Sequence, residues 1–316
     1  MRDSPEHGAA YQAPFTAALL HPRHWPSWLG LGLLAVLSLL PRRVLRLLAV
    51  PVAAMLWHTG QRRRQIALVN LRLCFPELDE TARLQLLKRH LRGSAHCLLD
   101  YPRLWFRGTH PPTPPLQIHG LEHLQRCQQA AQPVILLAAH TAALDFAGLE
   151  LGRVLGQGCS MAKPLKNPVA EWINHRSRTR YGAQIFSRAQ GLRPVVRRLR
   201  AAGVFYYLPD EDLGPRHAVF APFFGIPKAT LSALGGLASM TGAAVLPCIT
   251  TYDTEHDQYH VWISPPLQDF PTGDKLADAQ RMNAALEQLI RQHPEHYLWS
   301  FRWFKTRPDP KDNFYF

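Results

Sequence analysis

The sequence predicts an α/β protein with a mostly parallel central sheet flanked by helices and an N-terminal hydrophobic helical membrane-attachment region. Three observations carry this. Short apolar runs such as Pro133-Val-Ile-Leu-Leu-Ala-Ala139 and Gly203-Val-Phe-Tyr-Tyr-Leu208 have the length and composition of buried strands. Segments of helical periodicity alternate with them, the pattern of a sheet covered on both faces. Ahead of the first strand signal, residues 28–56 are apolar almost throughout, interrupted by Pro41 and arginines.

In chain order, residues 1–20 read as a loose leader and residues 28–68 as the apolar helical region. The first apolar run, residues 28–40, falls short of the roughly 18–20 residues of a bilayer-spanning helix. It also starts too far from Met1, behind too polar a leader, to be a secretory signal. Two short helices in the membrane interface, or one tilted anchor, fit it better; a hydrophobic hairpin packed on the globular core is the alternative. His21, Arg23, His24 and Trp25 on one flank, and Arg42, Arg43 and Arg46 on the other, supply cations and an aromatic ring for lipid headgroups.

Asn70-Leu-Arg-Leu-Cys-Phe-Pro-Glu77 is a junction at which Pro76 closes the preceding helix. Asp79 can cap a helix running to about residue 105, with Leu84, Leu87, Leu91 and Leu98 on one side. His110-Pro-Pro-Thr-Pro-Pro115 is a rigid connection into the next unit. Strands are then expected at residues 133–139, 160–162, 184–186, 203–208, 243–251 and 260–264. Helices are expected at 144–155, 168–178, 192–202, 230–240 and 275–292. The division is residues 1–68, leader and membrane-associated helices, and residues 69–316, the α/β domain, in which 69–115 form a helical lead-in.

The chain of 316 residues is long enough for one large domain, and 47% hydrophobic against 19% charged residues excludes a disordered chain. A net charge of +13 favours an anionic partner, whether phospholipid, nucleic acid, acidic carrier protein or phosphorylated substrate. Cys74, Cys97, Cys127, Cys159 and Cys248 are scattered without a CxxC pair, so they read as buried thiols in a reducing environment. No cofactor is implied, and no set of side chains reads as a metal site.

His140-Thr-Ala-Ala-Leu-Asp145 sits where chemistry is expected in such a sheet, at the carboxyl end of a buried strand. Across a strand-to-helix turn Asp145 can fold back onto one imidazole nitrogen while the other accepts a proton from an alcohol. No serine or cysteine adjoins the pair and no G-x-S-x-G elbow occurs. The substrate hydroxyl is therefore the natural nucleophile. On spacing alone, a structural hydrogen bond at the turn explains the pair equally well.

This hexapeptide resembles the HX4D block of the lysophospholipid acyltransferase superfamily. More narrowly, the chain resembles the late (lauroyl or myristoyl) acyltransferases of lipid A biosynthesis. The resemblance rests on Leu20-His-Pro-Arg-His-Trp25, Asn70–Glu77, Lys166-Asn-Pro168, Pro209-Asp-Glu-Asp-Leu-Gly-Pro-Arg216 and Phe301-Arg-Trp-Phe-Lys-Thr-Arg-Pro308. These blocks stand in family order across residues 17–308. The resemblance implies an acyltransferase that takes a fatty chain from an acyl-carrier-protein thioester to a hydroxyl of a phosphorylated glycolipid, the lipid A precursor. It implies a peripheral or single-anchor protein at the cytoplasmic face of the bacterial inner membrane, with His140 the general base and Asp145 its orienting partner. Glu211 stands where these enzymes often carry His or Gln, and Ala229-Thr-Leu-Ser-Ala-Leu-Gly-Gly236 replaces a more threonine-rich stretch. Those departures leave acceptor and acyl length open.

Substrate-binding candidates surround the pair. By the same resemblance Arg178, Arg180 and Arg188 align with arginines near acceptor or donor phosphates, the anions a guanidinium fits best; a solvated basic face is the alternative. Lys166 and Asn167 make a polar turn that can close one side of a pocket. Asp210, Asp212 and Arg216 follow the strand at 203–208; the two acids are suited to ordering the site. Arg216 can bind phosphate or pair with Asp212. Trp299, Trp303 and Phe304 with Arg302, Lys305 and Arg307 form a late basic-aromatic patch suited to a lipid interface. No nucleic-acid-binding motif accompanies that patch, and nucleic acid is not an expected partner. The competing readings are transfer to a lysophospholipid or another glycolipid, a hydrolase, and a non-catalytic membrane-bound binder.

Overall fold

The computed structural model describes residues 9–108, 116–156, 158–216 and 218–315, so the proline-rich connection at residues 110–115 lies outside the described residues. Pro41 breaks the apolar N-terminal run in two. Leu40 is extended, as a residue before proline prefers, and separates α1 (Trp25–Leu39) from α2 (Arg42–Thr59). Gly60 then joins α2 to α3 (Gln61–Cys74) at a corner so tight that a Cβ there would lie 2.5 Å from the Leu56 carbonyl oxygen. Asp79 caps α4 (Glu80–Arg107) by accepting from the Ala82 amide at 2.7 Å, as its sequence position predicts.

Strand and helix then alternate: β1 (Leu116–His119), α5 (Leu121–Gln129), β2 (Val134–Ala138), α6 (Leu144–Leu155), β3 (Gly158–Ala162), α7 (Pro168–Arg178), β4 (Gln184–Ser187), α8 (Arg193–Arg200) and β5 (Val204–Tyr207). A hairpin of β6 (Ala218–Phe223) and β7 (Ile226–Leu231) follows, then α9 (Ala233–Thr241), β8 (Ala244–Asp253), β9 (Gln258–Ile263) and α10 (Lys275–Gln292). The main sheet has the order β1-β9-β8-β2-β5-β3-β4. Strands β8, β2, β5, β3 and β4 run parallel, while β9 folds back antiparallel to β8 and carries β1 parallel to itself. The largely parallel sheet predicted from the alternation is thus present, with its reversed strands confined to one edge. Strand β2 lies centrally and is buried along its whole length, as its unbroken apolar run requires.

The hairpin departs from expectation. Residues 230–240 read as helix, but Thr230 and Leu231 pair with Val219 and Ala218 across the hairpin. The helix therefore starts only at Ala233. The turn at Phe224-Gly225 has positive φ at both residues, the geometry that matches the twist of the flanking strands. Strand β1 and helix α5 were likewise not anticipated; both are short and weakly patterned.

The late basic-aromatic patch is corrected by burial. Trp299, Trp303 and Phe304 are fully buried, together with Tyr297, in the main core. They are therefore core side chains and not a surface for lipid or bases. Asn70 fastens them to α3: its amide donates to the carbonyls of Trp299 (2.6 Å) and Phe301 (2.7 Å), and its oxygen accepts from Tyr315. The block beginning at Asn70 is thus a structural clasp on the C-terminal loop. All five cysteines are free and buried.

On the N-terminal helices, Leu37, Ala49, Val52, Ala53 and Leu56 pack against Ala95 and Leu99 of α4. The opposite side is apolar and exposed. Leu29, Leu33, Val36 and Leu39 recur along one face of α1, and Leu47 (73% exposed), Val50 and Met55 along α2. Among the described residues, no helix is long and apolar enough to cross a membrane. One expected headgroup ligand is otherwise engaged: Arg42 donates to Asp257 at 2.6 Å and lies 3.5 Å from Asp100. Arg43 and Arg46 are exposed beside the apolar face.

Candidate active site

The carboxyl ends of β2, β5, β3 and β4 converge on one opening. His140 leaves β2 there and is held in three ways. Its carbonyl accepts from the Leu298 amide at 3.0 Å, Phe301 and Trp303 stand with ring centroids 5.8 and 6.2 Å from the imidazole, and its amide donates to Asp210 Oδ2 at 2.9 Å. The ring Nδ1 meets the other Asp210 oxygen in a short hydrogen bond. That contact leaves Nε2 as the nitrogen available for proton transfer.

This geometry corrects the expected pairing with Asp145. Asp145, in the first turn of α6, receives both arms of Arg178: Nε to Oδ1 at 2.9 Å and Nη2 to Oδ2 at 3.0 Å. Tyr101 donates to Oδ2 at 3.1 Å. The carboxylate thus ties α6 to α7 and α4, and the acid seventy positions away along the chain holds the imidazole. Burial disfavours protonation of the His140 ring, but the charge and hydrogen bond of Asp210 outweigh it and raise His140 above the ordinary imidazole value. Burial acts on Asp210 in the opposite direction to its partners. The charge and hydrogen bonds of His140, with Lys228 beyond, hold it below the usual carboxylate range.

Lys228 on β7 is a further member of this cluster that sequence reasoning missed. It is 1% exposed, and its Nζ has no hydrogen-bond partner among the described residues. Burial pushes it down to about 8, with Asp210 and Asp212 pulling the other way. Asp212 itself is a loop tie, accepting from the Thr306 amide and hydroxyl, both at 2.8 Å, and from the Gly214 amide at 3.0 Å. It does not pair with Arg216, which is exposed.

The remaining candidates separate by position. His140, Asp145, Lys166, Arg178 and Arg188 line a cavity of about 590 Å³. Arg188 reaches Glu211, which also lines it, at 2.9 Å. Arg180 is a brace instead, donating to the Trp105 carbonyl at 2.6 Å. Asn167 caps α7 through the amides of Val169 and Ala170 and reaches Ser27 in the first turn of α1 at 2.8 Å. Beyond the polar opening, Leu136, Leu144, Leu151, Leu155, Val204 and Leu208 make the walls apolar.

Breaking the Asp145–Arg178 pair has a defined expected cost. Asp145→Asn removes a bidentate charge-assisted contact and leaves the guanidinium uncompensated. With Arg178 30% exposed, the expected loss is about 2–3 kcal/mol of unfolding free energy, below the figure for a fully buried pair. Urea unfolding in detergent measures it. A D145N protein as stable as wild type would show that the pair does not hold these helices together.

A carboxylate-held imidazole opening on a largely apolar cavity, with cations on its lining, is an arrangement suited to proton transfer on a long apolar substrate with an anionic portion. The chain matches the bacterial lipid A biosynthesis acyltransferase family over residues 12–306, and it belongs to that family. It is an acyltransferase. It is 33% identical over 309 residues to a lipid A biosynthesis palmitoleoyltransferase of Escherichia coli, covering 96% of this chain and 99% of the relative. It is 30% identical over 302 residues to a lipid A biosynthesis acyltransferase of Haemophilus influenzae (96% and 94% covered). With a lipid A biosynthesis myristoyltransferase of Escherichia coli it shares 29% identity over 305 residues (96% and 94%).

Proposed function

We propose that this protein transfers a fatty acyl chain from an acyl-carrier-protein thioester to a hydroxyl of a phosphorylated lipid A precursor, at the cytoplasmic face of the bacterial inner membrane. The observation that carries the reading is His140, held through Nδ1 by Asp210 and placed on the wall of the apolar cavity. The acceptor hydroxyl gives its proton to Nε2 as its oxygen attacks the thioester carbonyl carbon. The carbon–sulfur bond then breaks, and the carrier thiolate takes the proton from the imidazolium. The ester and the free thiol leave, and the ring returns to neutral. No residue is acylated, in keeping with the absence of a nucleophilic side chain hydrogen-bonded to His140 among the described residues.

In this reading Asp210 orients the base, and Asp145 holds Arg178 at the cavity entrance. Lys166, Arg178 and Arg188 favour the phosphates of the acceptor, and the acyl chain occupies the apolar walls. Residues 1–68 attach the enzyme to the leaflet through the exposed faces of α1 and α2, with Trp25, Arg43 and Arg46 at headgroup level. Residues 69–316 carry the chemistry.

The test offers the purified protein carrier-bound and coenzyme-A-bound acyl thioesters, each with a tetra-acylated disaccharide phosphate or a lysophospholipid as acceptor. Mass spectrometry of the lipid products reads the outcome. The expected product is the further acylated disaccharide, formed from the carrier-bound donor. Acylation of the lysophospholipid alone overturns the acceptor, and preference for coenzyme A overturns the donor.

A further inference from the structure

Helix α6 lies over the parallel strands in a way that leaves a hollow where a helix on a sheet is ordinarily filled by side chains. The residues it turns toward the cavity include Leu144, Gly148, Gly152 and Leu155, at the spacing of one helical face. Two of these four are glycine, a residue that weakens a helix interior relative to alanine. Close packing does not demand them. A Cβ on Gly148 would lie 3.8 Å from the Tyr206 ring, and one on Gly152 would lie 3.9 Å from the Cβ atoms of Ala183 and Tyr181. Those are ordinary contacts. What the two missing side chains secure is the width of the hollow.

We infer that Gly148 and Gly152 gauge the length of the acyl chain this enzyme accepts. The inference rests on the proposal that the donor's fatty chain occupies the cavity, and it names the residues that measure it. The reacting end is fixed by His140 at the carboxyl end of β2, beside Leu144. The far end is formed by Leu155, Gly158 and Val204, at the opposite ends of α6, β3 and β5. At 1.5 Å per residue, Gly148 stands about 6 Å and Gly152 about 12 Å along the helix axis from Leu144. A side chain at position 152 therefore closes the distal part of the hollow and leaves the proximal part open. One at position 148 obstructs the chain close to its thioester. Tyr206, whose hydroxyl donates to the Leu144 carbonyl at 3.3 Å, is the wall opposite Gly148 and is tied in place.

The experiment gives full-length wild type, Gly152→Ala, Gly152→Leu and Gly148→Leu an equimolar mixture of saturated acyl-carrier-protein thioesters graded from short to long chains, with the disaccharide acceptor. Product masses are read at low conversion. Gly152→Leu is expected to move the preferred chain to a shorter one and to lower use of the wild-type optimum, relative to short chains, by about tenfold or more. Gly152→Ala, which the backbone accommodates, moves it the same way by less, and Gly148→Leu spares only the shortest donors. A Gly152→Leu or Gly152→Ala protein with an unaltered length profile, or one whose loss is uniform across chain lengths, overturns the gauge. Wild type that uses none of the carrier thioesters overturns instead the donor reading on which it rests.

Discussion

An H140A protein is expected to associate with lipid vesicles as wild type does and to transfer acyl groups at least about a hundredfold more slowly, the span of a lost general base. The ring is the only titratable group that joins the buried Asp210 carboxylate to the cavity through a hydrogen bond among the described residues. Removing it leaves no acceptor for the proton of the incoming hydroxyl. It also strands Asp210, whose Oδ1 then faces an empty space with only Lys228 nearby as counter-charge. Folding is expected to survive, because the His140 amide still donates to Asp210 and its carbonyl still accepts from Leu298. The exposed apolar faces of α1 and α2 lie on helices packed on α4 and do not include His140, so vesicle binding serves as the control for correct folding. Turnover in H140A within tenfold of wild type, with vesicle binding intact, would remove the imidazole from the chemistry and favour a binding protein.

How much of this was legible in the sequence follows from the range of the interactions involved. Strand β2, and helices α7 and α10, could be read because each carries a local pattern: an apolar run of strand length, a proline or asparagine at a helix start, an aspartate cap. His140 could be placed at the carboxyl end of β2 for the same reason. Its partner could not be derived from spacing. Asp145 and Asp210 are both acids just past strands, and the turn after His140 allowed the nearer one to reach the ring. What decides between them is Arg178, which arrives from the end of α7 and takes both oxygens of Asp145. That is a tertiary contact with no sequence signature. Lys228 was hidden for a related reason: a lone lysine ordinarily reads as exposed, whereas here tertiary packing buries it beside Phe223 and the charges of Asp210 and Asp212. The tail aromatics were misplaced because interleaved arginines suggest a surface, whereas here Trp299, Trp303 and Phe304 are buried, only Lys305 is exposed, and Arg302 and Arg307 are half-buried against Tyr315 and Phe314.

Replacing Asp210 by asparagine is expected to lower kcat by about a thousandfold or more, as when the acid behind a catalytic imidazole is made neutral elsewhere. It should also move the pH profile, which distinguishes an orienting acid from a mere structural tie. In wild type, His140 must be neutral to accept a proton, and Asp210 raises it above the ordinary imidazole value. The acidic limb of kcat/KM therefore lies above about 6.5. In D210N the ring stays buried and Arg188 still opposes its charge, while the attraction of Asp210 is gone and only Glu211 still favours the imidazolium. The limb accordingly shifts to lower pH. Stability follows the same pair with a definite sign. His140 is raised on folding, so its contribution is full below its unfolded value and fades as pH rises through the folded one. Asp210 is depressed, so its contribution is present above the ordinary carboxylate value and fades as pH falls through the folded one. The stability gap between wild type and D210N is therefore widest in mildly acidic solution and narrows on both sides. The D145N change should leave the acidic limb where it is, because Asp145 spends its oxygens on Arg178 and Tyr101. If D145N moved the limb as far as D210N, or if D210N left it in place with turnover within tenfold of wild type, the imidazole would have to be held by a different acid from the one that touches it.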